Sequence, residues 1–194
     1  YVKGQYDSKK GIPVVEYNVL SQDFVRGVDV VPIQLREKRS IVMLCSLTKA
    51  KGICIFLKVA RSLPEYKFTL VISASQKKID SFFKSEVPRN VKIVAGQKDV
   101  HLFYKNADLV LNLSDPSMCV ETFGMTIIEG LSYGLPAIVP NIGGPIEIIS
   151  DGFNGFCVDV TNITEICAKV KYCLSYGNYE RLAKNAIDSC KKFI

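Results

Sequence analysis

Histidine is almost missing from this chain: His101 stands alone among 194 residues. A Cys/His zinc site or a histidine-dependent nucleophilic triad therefore has little to draw on. The seven cysteines are odd in number and form no C-x-x-C pair. Several lie in apolar runs, as Cys45 does in Ile41-Val42-Met43-Leu44-Cys45, so they read as reduced core thiols rather than a disulfide framework. No stretch approaches the roughly 20 apolar residues of a membrane-spanning helix. There is no G-x-x-x-x-G-K-[ST], no G-x-G-x-x-G after the first strand and no G-x-S-x-G. These absences argue against a P-loop nucleotidase, a dinucleotide-dependent dehydrogenase and an α/β-hydrolase. The net charge of +6 is spread out, with no basic block interleaved with aromatics. It suits a solvated surface, an anionic ligand or an anionic membrane surface, and gives no support to nucleic acid as a partner. An initiator methionine and an apolar leader are also lacking, and the chain is expected to be an excerpt of a longer protein.

What is present is material for a full core, with 48% hydrophobic and 23% charged residues, in one large domain with or without flanks. Residues 1–38 show no helical periodicity. Val14-Val15-Glu16-Tyr17 reads as a short strand and Val28 to Ile33 as an apolar stretch broken by Pro32. A basic cluster, Arg36, Lys38 and Arg39, follows. From Ile41 onward, strands and helices alternate. The predicted strands are Ile41–Cys45, Phe68–Ile72, Val91–Val94, Leu109–Leu113, Ala137–Val139 and Phe156–Val158. Helical spacing is found over Ile53–Leu63, around Ile79 to Phe83, over Val100–Tyr104, after Glu121, from Gly143 to Ile149, over Ile163–Leu174 and from Tyr179 onward. Alternation without hairpin signals means βαβ units, hence a Rossmann-like parallel sheet of about six strands with helices on both faces. Ligands of such sheets sit beyond the carboxyl ends of the strands, where strand order reverses.

Three loops at that edge draw attention. After the first strand, Lys51 stands at the start of a helix, where the positive dipole end repels it unless an anion bridges the two; an ordinary exposed lysine is the alternative. After the fourth strand comes Glu121, then Phe123-Gly124-Met125-Thr126 opening an apolar helix. Its amides are ready anion donors, and Gly124 permits close approach of a ligand. Glu129, one turn on, leans back toward Met125 and Thr126, because helical side chains tilt toward the N-terminus. A phosphate at the helix tip with a carboxylate behind it suits a phosphate-bearing group with hydroxyls, such as a ribose. The alternative is a glutamate paired by a lysine or by backbone amides for packing alone. After the fifth strand, Gly143-Gly144-Pro145-Ile146-Glu147 reads equally as a ligand loop or as a plain loop and helix cap.

Taken together, Glu121-(seven residues)-Glu129, the Phe-Gly after the first glutamate, Glu-Gly-Leu-Ser-Tyr-Gly-Leu-Pro-Ala-Ile, Gly143-Gly144-Pro-Ile-Glu147 and Asp151-Gly-Phe-Asn-Gly155 resemble the C-terminal, donor-binding domain of the group 1 (family 4) retaining glycosyltransferases of GT-B fold. The resemblance covers about residues 40–175, in order. It implies a donor domain over residues 39–194, with its last helix cut short. Residues 1–38 would be the connector and tail of a missing N-terminal acceptor domain. It implies a nucleotide-diphosphate sugar as donor, a glycan or lipid-linked acceptor, retention, and no metal or other cofactor. Glu129 would hold the ribose, and Phe123, Gly124, Met125 and Thr126 would meet donor sugar and phosphates. Glu121 would orient the transferred sugar, Lys51 would neutralise the departing diphosphate, and the base would lie near Gly96-Gln97. The family's usual arginine five residues before the lysine is here Ser46, a loss of roughly 1.5–3 kcal/mol of phosphate binding unless compensated. The expected setting is the cytoplasm, at or near the inner face of a membrane through the missing domain, in polysaccharide biosynthesis. Without that domain the chain is expected to bind donor weakly and transfer nothing. The competing readings are a non-catalytic sugar-nucleotide or scaffold module and a GT-B sugar-nucleotide epimerase.

Overall fold

A computed structural model of the chain describes residues 16–83 and 87–194. Its centre is a fully parallel six-stranded sheet. The strands are β1 (Ser40–Ser46), β2 (Lys67–Ser73), β3 (Val91–Ala95), β4 (Leu109–Leu111), β5 (Ala137–Pro140) and β6 (Gly155–Val158), in spatial order β3-β2-β1-β4-β5-β6. Strand order reverses between β1 and β4, which is the switch point of a Rossmann-like sheet. Each inner strand is buried on both faces, as its continuous apolar run requires.

Alternation along β1 shows how the two layers form. Ile41 and Met43 join one apolar cluster and Val42 joins the other, because successive side chains of a strand point to opposite faces. The first layer is built by α2 (Ile53–Ser62), α3 (Gln76–Phe82) and α7 (Ile163–Cys173), through residues such as Phe56, Ile79 and Val170. The second is built by α4 (His101–Lys105), α5 (Met125–Ser132) and α6 (Pro145–Ile148), through Tyr104, Ile127, Leu131 and Ile148. The last helix, α8 (Asn178–Cys190), gives Tyr179, Leu182 and Ala183 to the first cluster and Ala186 and Cys190 to the second. All seven cysteines are free thiols.

The expected alternation is present throughout, with β4 ending at Leu111 rather than at residue 113. The differences lie before β1. The expected strand at Val14–Tyr17 falls partly outside the described residues, and Glu16 and Tyr17 have no regular structure. A five-residue helix, α1 (Gln22–Arg26), forms there instead. It is started by the Ser21 hydroxyl, which accepts from the Phe24 amide at 3.1 Å, as a serine N-cap does. The stretch Val28 to Ile33 forms no strand and leads into a single 3-10 turn at Ile33–Leu35. This segment, read from sequence as a connector, packs on the domain: Leu20 is buried and its amide donates to Phe193 O at 2.7 Å. Arg36 is buried as well. Its guanidinium donates to the Ala107 and Tyr133 carbonyls and lies 3.7 Å from Asp108. Asp108 in turn accepts from the Arg39 and Ser40 amides at 2.8 and 2.9 Å, tying together the starts of β1 and β4.

Candidate functional site

At the other end of the same two strands the sheet opens. β1 and β4 pair only over Ile41↔Leu109 and Val42↔Val110, while β1 runs on to Ser46 beside β2. Beyond that pairing the chains part around a cleft of about 320 Å³. Met43, Leu44 and Cys45 line one wall and Asn112, Leu113 and Ser114 the other. Lys51, Glu121 and the run Thr122 to Thr126 complete it, with Asn18 of the N-terminal segment at its edge. Six of the residues singled out from sequence (Lys51, Glu121, Phe123, Gly124, Met125 and Thr126) thus face one space.

Lys51 reaches the cleft because of the residue after it. A 3-10 turn at Lys49–Lys51 ends on Gly52, whose φ of 72° is the left-handed region that glycine favours. A Cβ at Gly52 would lie 1.9 Å from Leu113 O, so only glycine lets this turn seat against the end of β4. The Asp115 amide donates to Ala50 O at 2.8 Å and fixes the two loops together. Lys51 Nζ then donates to Glu121 Oε2 at 2.6 Å. Ser114 Oγ donates to the same oxygen at 3.3 Å, and the side chain of Asn112 supplies a further hydrogen bond to the carboxylate. Burial pushes the Glu121 carboxyl upward, but Lys51, Asn112 and Ser114 outweigh it and hold the group below the usual carboxylate range. Cys45, in the facing wall, is pushed up to about 12 by burial against the pull of Lys51, so it is a neutral thiol and no nucleophile.

Helix α5 points its N-terminus into the cleft. Gly124 has φ 120°, and the amides of Ile127 and Ile128 turn back to its carbonyl, leaving those of Met125 and Thr126 ahead of the first intrahelical bond. The Gly143-Gly144 loop sits behind this run. The Gly144 amide donates to Glu121 O at 2.8 Å, and a Cβ would lie 2.4 Å from Glu121 O at Gly143 and 2.1 Å from Thr122 O at Gly144. These two glycines therefore buttress the backbone that carries Glu121, which by itself requires glycine at both positions.

Three of the singled-out residues stand apart from the cleft lining. Glu129 lies one turn behind the helix tip, where Tyr104 Oη donates to its Oε2 at 2.6 Å. Burial raises its carboxyl above the usual range, against the opposing effects of that hydrogen bond and of His101. Among the described residues no lysine pairs with it, and Lys51 is on Glu121. Ser46 is exposed at the end of β1, and its carbonyl accepts from the Thr48 amide. Gly96 follows β3, the edge strand of the sheet, and a Cβ there would meet Ser73 Cα at 2.9 Å, so close packing on β2 already requires glycine. Sequence reasoning passed over Asn112, Ser114 and Tyr104. A polar Asn112 closing an otherwise apolar Leu-Val-Leu-Asn-Leu run was the available signal. The hydroxyl of Tyr104 was hidden in an apolar helical pattern. Among the described residues, no group of three or more His, Cys, Asp or Glu side chains is placed to hold a metal ion. No described helix is long and apolar enough to cross a membrane.

Residues 32–189 match the family described as glycosyl transferases group 1. Sucrose synthase 6 of Arabidopsis thaliana is 34% identical over 111 residues, 52% of this chain and 11% of its own length. Among solved structures, a glycosyltransferase from Rickettsia africae superposes with a TM-score of 0.77 at 21% identity, over 93% of this chain and 52% of that one. Anabaena Alr3699/HepE in complex with UDP gives 0.70 at 20%, over 90% and 50%. The chain therefore spans about a tenth of that curated relative and about half of each of these solved structures.

Proposed function

Because the chain belongs to the group 1 glycosyl transferases, we propose that it is the donor-binding domain of an enzyme that moves a sugar, with retention and without a metal, from a nucleotide-diphosphate sugar to a glycan or lipid-linked acceptor. One observation carries the reading: Lys51, Glu121 and the N-terminus of α5 converge on a single cleft at the strand-order switch. In this reading the diphosphate lies between the Lys51 ammonium and the amides of Gly124, Met125 and Thr126. These stabilise the negative charge that grows on the leaving group, the task a divalent cation performs elsewhere. Glu121 turns to the hydroxyls of the transferred sugar, and Glu129 takes the ribose. Lys51 and Glu121 neutralise each other across the cleft, and donor binding exchanges that ion pair for two contacts with the substrate. The structure of Anabaena Alr3699/HepE, a protein of the same fold, in complex with UDP supports a nucleoside diphosphate as the ligand class.

Acceptor contacts come, in this reading, from a second domain outside the 194 residues, and the chain alone binds donor without turning it over. Its setting is the cytoplasm, close to a membrane surface, in polysaccharide biosynthesis. Titration calorimetry with UDP, GDP and ADP tests the site. At least one binds, and Lys51→Ala weakens it by about tenfold or more, the worth of a charge-assisted phosphate contact. No heat with any of the three would overturn the assignment, and sugar transfer by the chain alone would overturn the division of labour.

A further inference from the structure

Glu129 is half-buried and lies outside the cleft wall, and among the described residues no lysine or arginine pairs with it, yet its carboxylate is held in one place. The hydroxyl of Tyr104, a side chain with no exposed surface, donates to Glu129 Oε2 at 2.6 Å and lies 3.4 Å from Thr126 O. The ring of Tyr104 is itself fixed: it stacks on Tyr133 with centroids 5.8 Å apart and meets the edge of Phe24 at 6.5 Å. Tyr133 is tied by its hydroxyl, 2.6 Å from His101 Nδ1 and 3.3 Å from Gly27 O. A buried phenol has one proton to donate, so its bond to Oε2 fixes the orientation of the carboxylate and leaves Oε1 for a ligand.

We propose that Tyr104 is a positioning residue for the donor: it presents Glu129 as a fixed, one-oxygen acceptor for the vicinal hydroxyls of the donor's ribose. The inference rests on the donor-site reading above and adds to it a residue with no place in the cleft wall. Among the described residues, the titratable groups that act on Glu129 are Tyr104 and His101, both on α4. Burial, aided by the adjacent Glu129 charge, raises the Tyr104 phenol well above its ordinary range, which keeps it a donor. The hydrogen bond from Tyr104 favours the ionised carboxylate, so losing it moves the protonation of Glu129 to higher pH.

The test compares UDP, GDP and ADP with their 2′,3′-dideoxy counterparts by calorimetry, on wild type, Tyr104→Phe and Glu129→Gln, from pH 5 to 8. Wild type prefers the ribonucleotide by about tenfold, the value of hydrogen bonds to a charged acceptor. Tyr104→Phe keeps the stacked ring, reduces that preference to about threefold or less, and moves the acid-side loss of binding to higher pH. A purely structural role would weaken both nucleotides alike and leave the pH limb in place. Retention of the full preference by Tyr104→Phe, with Glu129→Gln losing it, would overturn the role of Tyr104 alone. No preference in wild type, or one that Glu129→Gln leaves unchanged, would overturn the ribose reading and this inference together. A melting profile of Tyr104→Phe confirms that the comparison is made on folded protein.

Discussion

The two ends of the β1–β4 seam are each closed by an ion pair, and the pairs are built differently. At the amino end, the Arg36 and Asp108 side chains are 3% and 6% exposed, and backbone groups satisfy the rest of their hydrogen bonds. At the carboxyl end, Lys51 and Glu121 are 29% and 17% exposed at the mouth of a cleft, supported by side chains alone. A pair locked by carbonyls and amides holds strands in register. A pair held by flexible side chains beside open space can be exchanged for a ligand. Position at the switch point, not charge, distinguishes the pair proposed to meet a ligand from the one that holds strands.

The largest effect comes from breaking the amino-end pair. Asp108→Ala leaves Arg36 buried without its counter-charge and is expected to cost about 3–5 kcal/mol in urea unfolding, while nucleotide affinity of the folded protein changes little. Next is Gly52→Ala. A side chain in the left-handed region, pressed on Leu113 O, costs about 1–2 kcal/mol in backbone conformation alone. The turn that delivers Lys51 must also shift, so stability and binding fall together. Lys51→Ala sharpens the contrast: stability falls by only about 1 kcal/mol, as for a partly solvated pair, but nucleoside diphosphate binding drops as described above.

The smallest effect is in pH. Glu121 is held below the usual carboxylate range, so its stabilisation is present above the unfolded carboxylate's pKa and is lost as pH falls through the folded one. Glu129 is raised, so its ionisation costs the folded state at neutral pH, and that cost disappears as pH falls. Unfolding free energies of Glu121→Gln and Glu129→Gln at pH 7 should therefore depart from wild type in opposite directions. Both differences should shrink near pH 4.

The contrast also explains how much was legible in the sequence. Strands buried on both faces announce themselves as apolar runs, and turn glycines and prolines punctuate them, so the sheet and its carboxyl-end loops followed from pattern. Lys51, Glu121 and the 123–126 run followed from position in those loops. Arg36 did not. It stood in a basic cluster ahead of β1, and its burial depends on Asp108, 72 residues away. Helix α1 escaped because its five residues bury no side chain, and the Ser21 cap that starts it resembles any serine in a loop. Gly52, Gly143 and Gly144 looked like loop glycines. Their need for glycine comes from carbonyls of other loops, which no local pattern records. Tyr104 was read by its ring and missed by its hydroxyl.

The most direct measurement is a crystal structure of the chain with a nucleoside diphosphate that calorimetry shows to bind. The diphosphate is expected between Lys51 Nζ and the amides of residues 124–126, with Lys51 released from Glu121 and the ribose on Glu129 Oε1. A nucleotide bound away from the β1–β4 opening, or bound there with the Lys51–Glu121 pair intact, would contradict it.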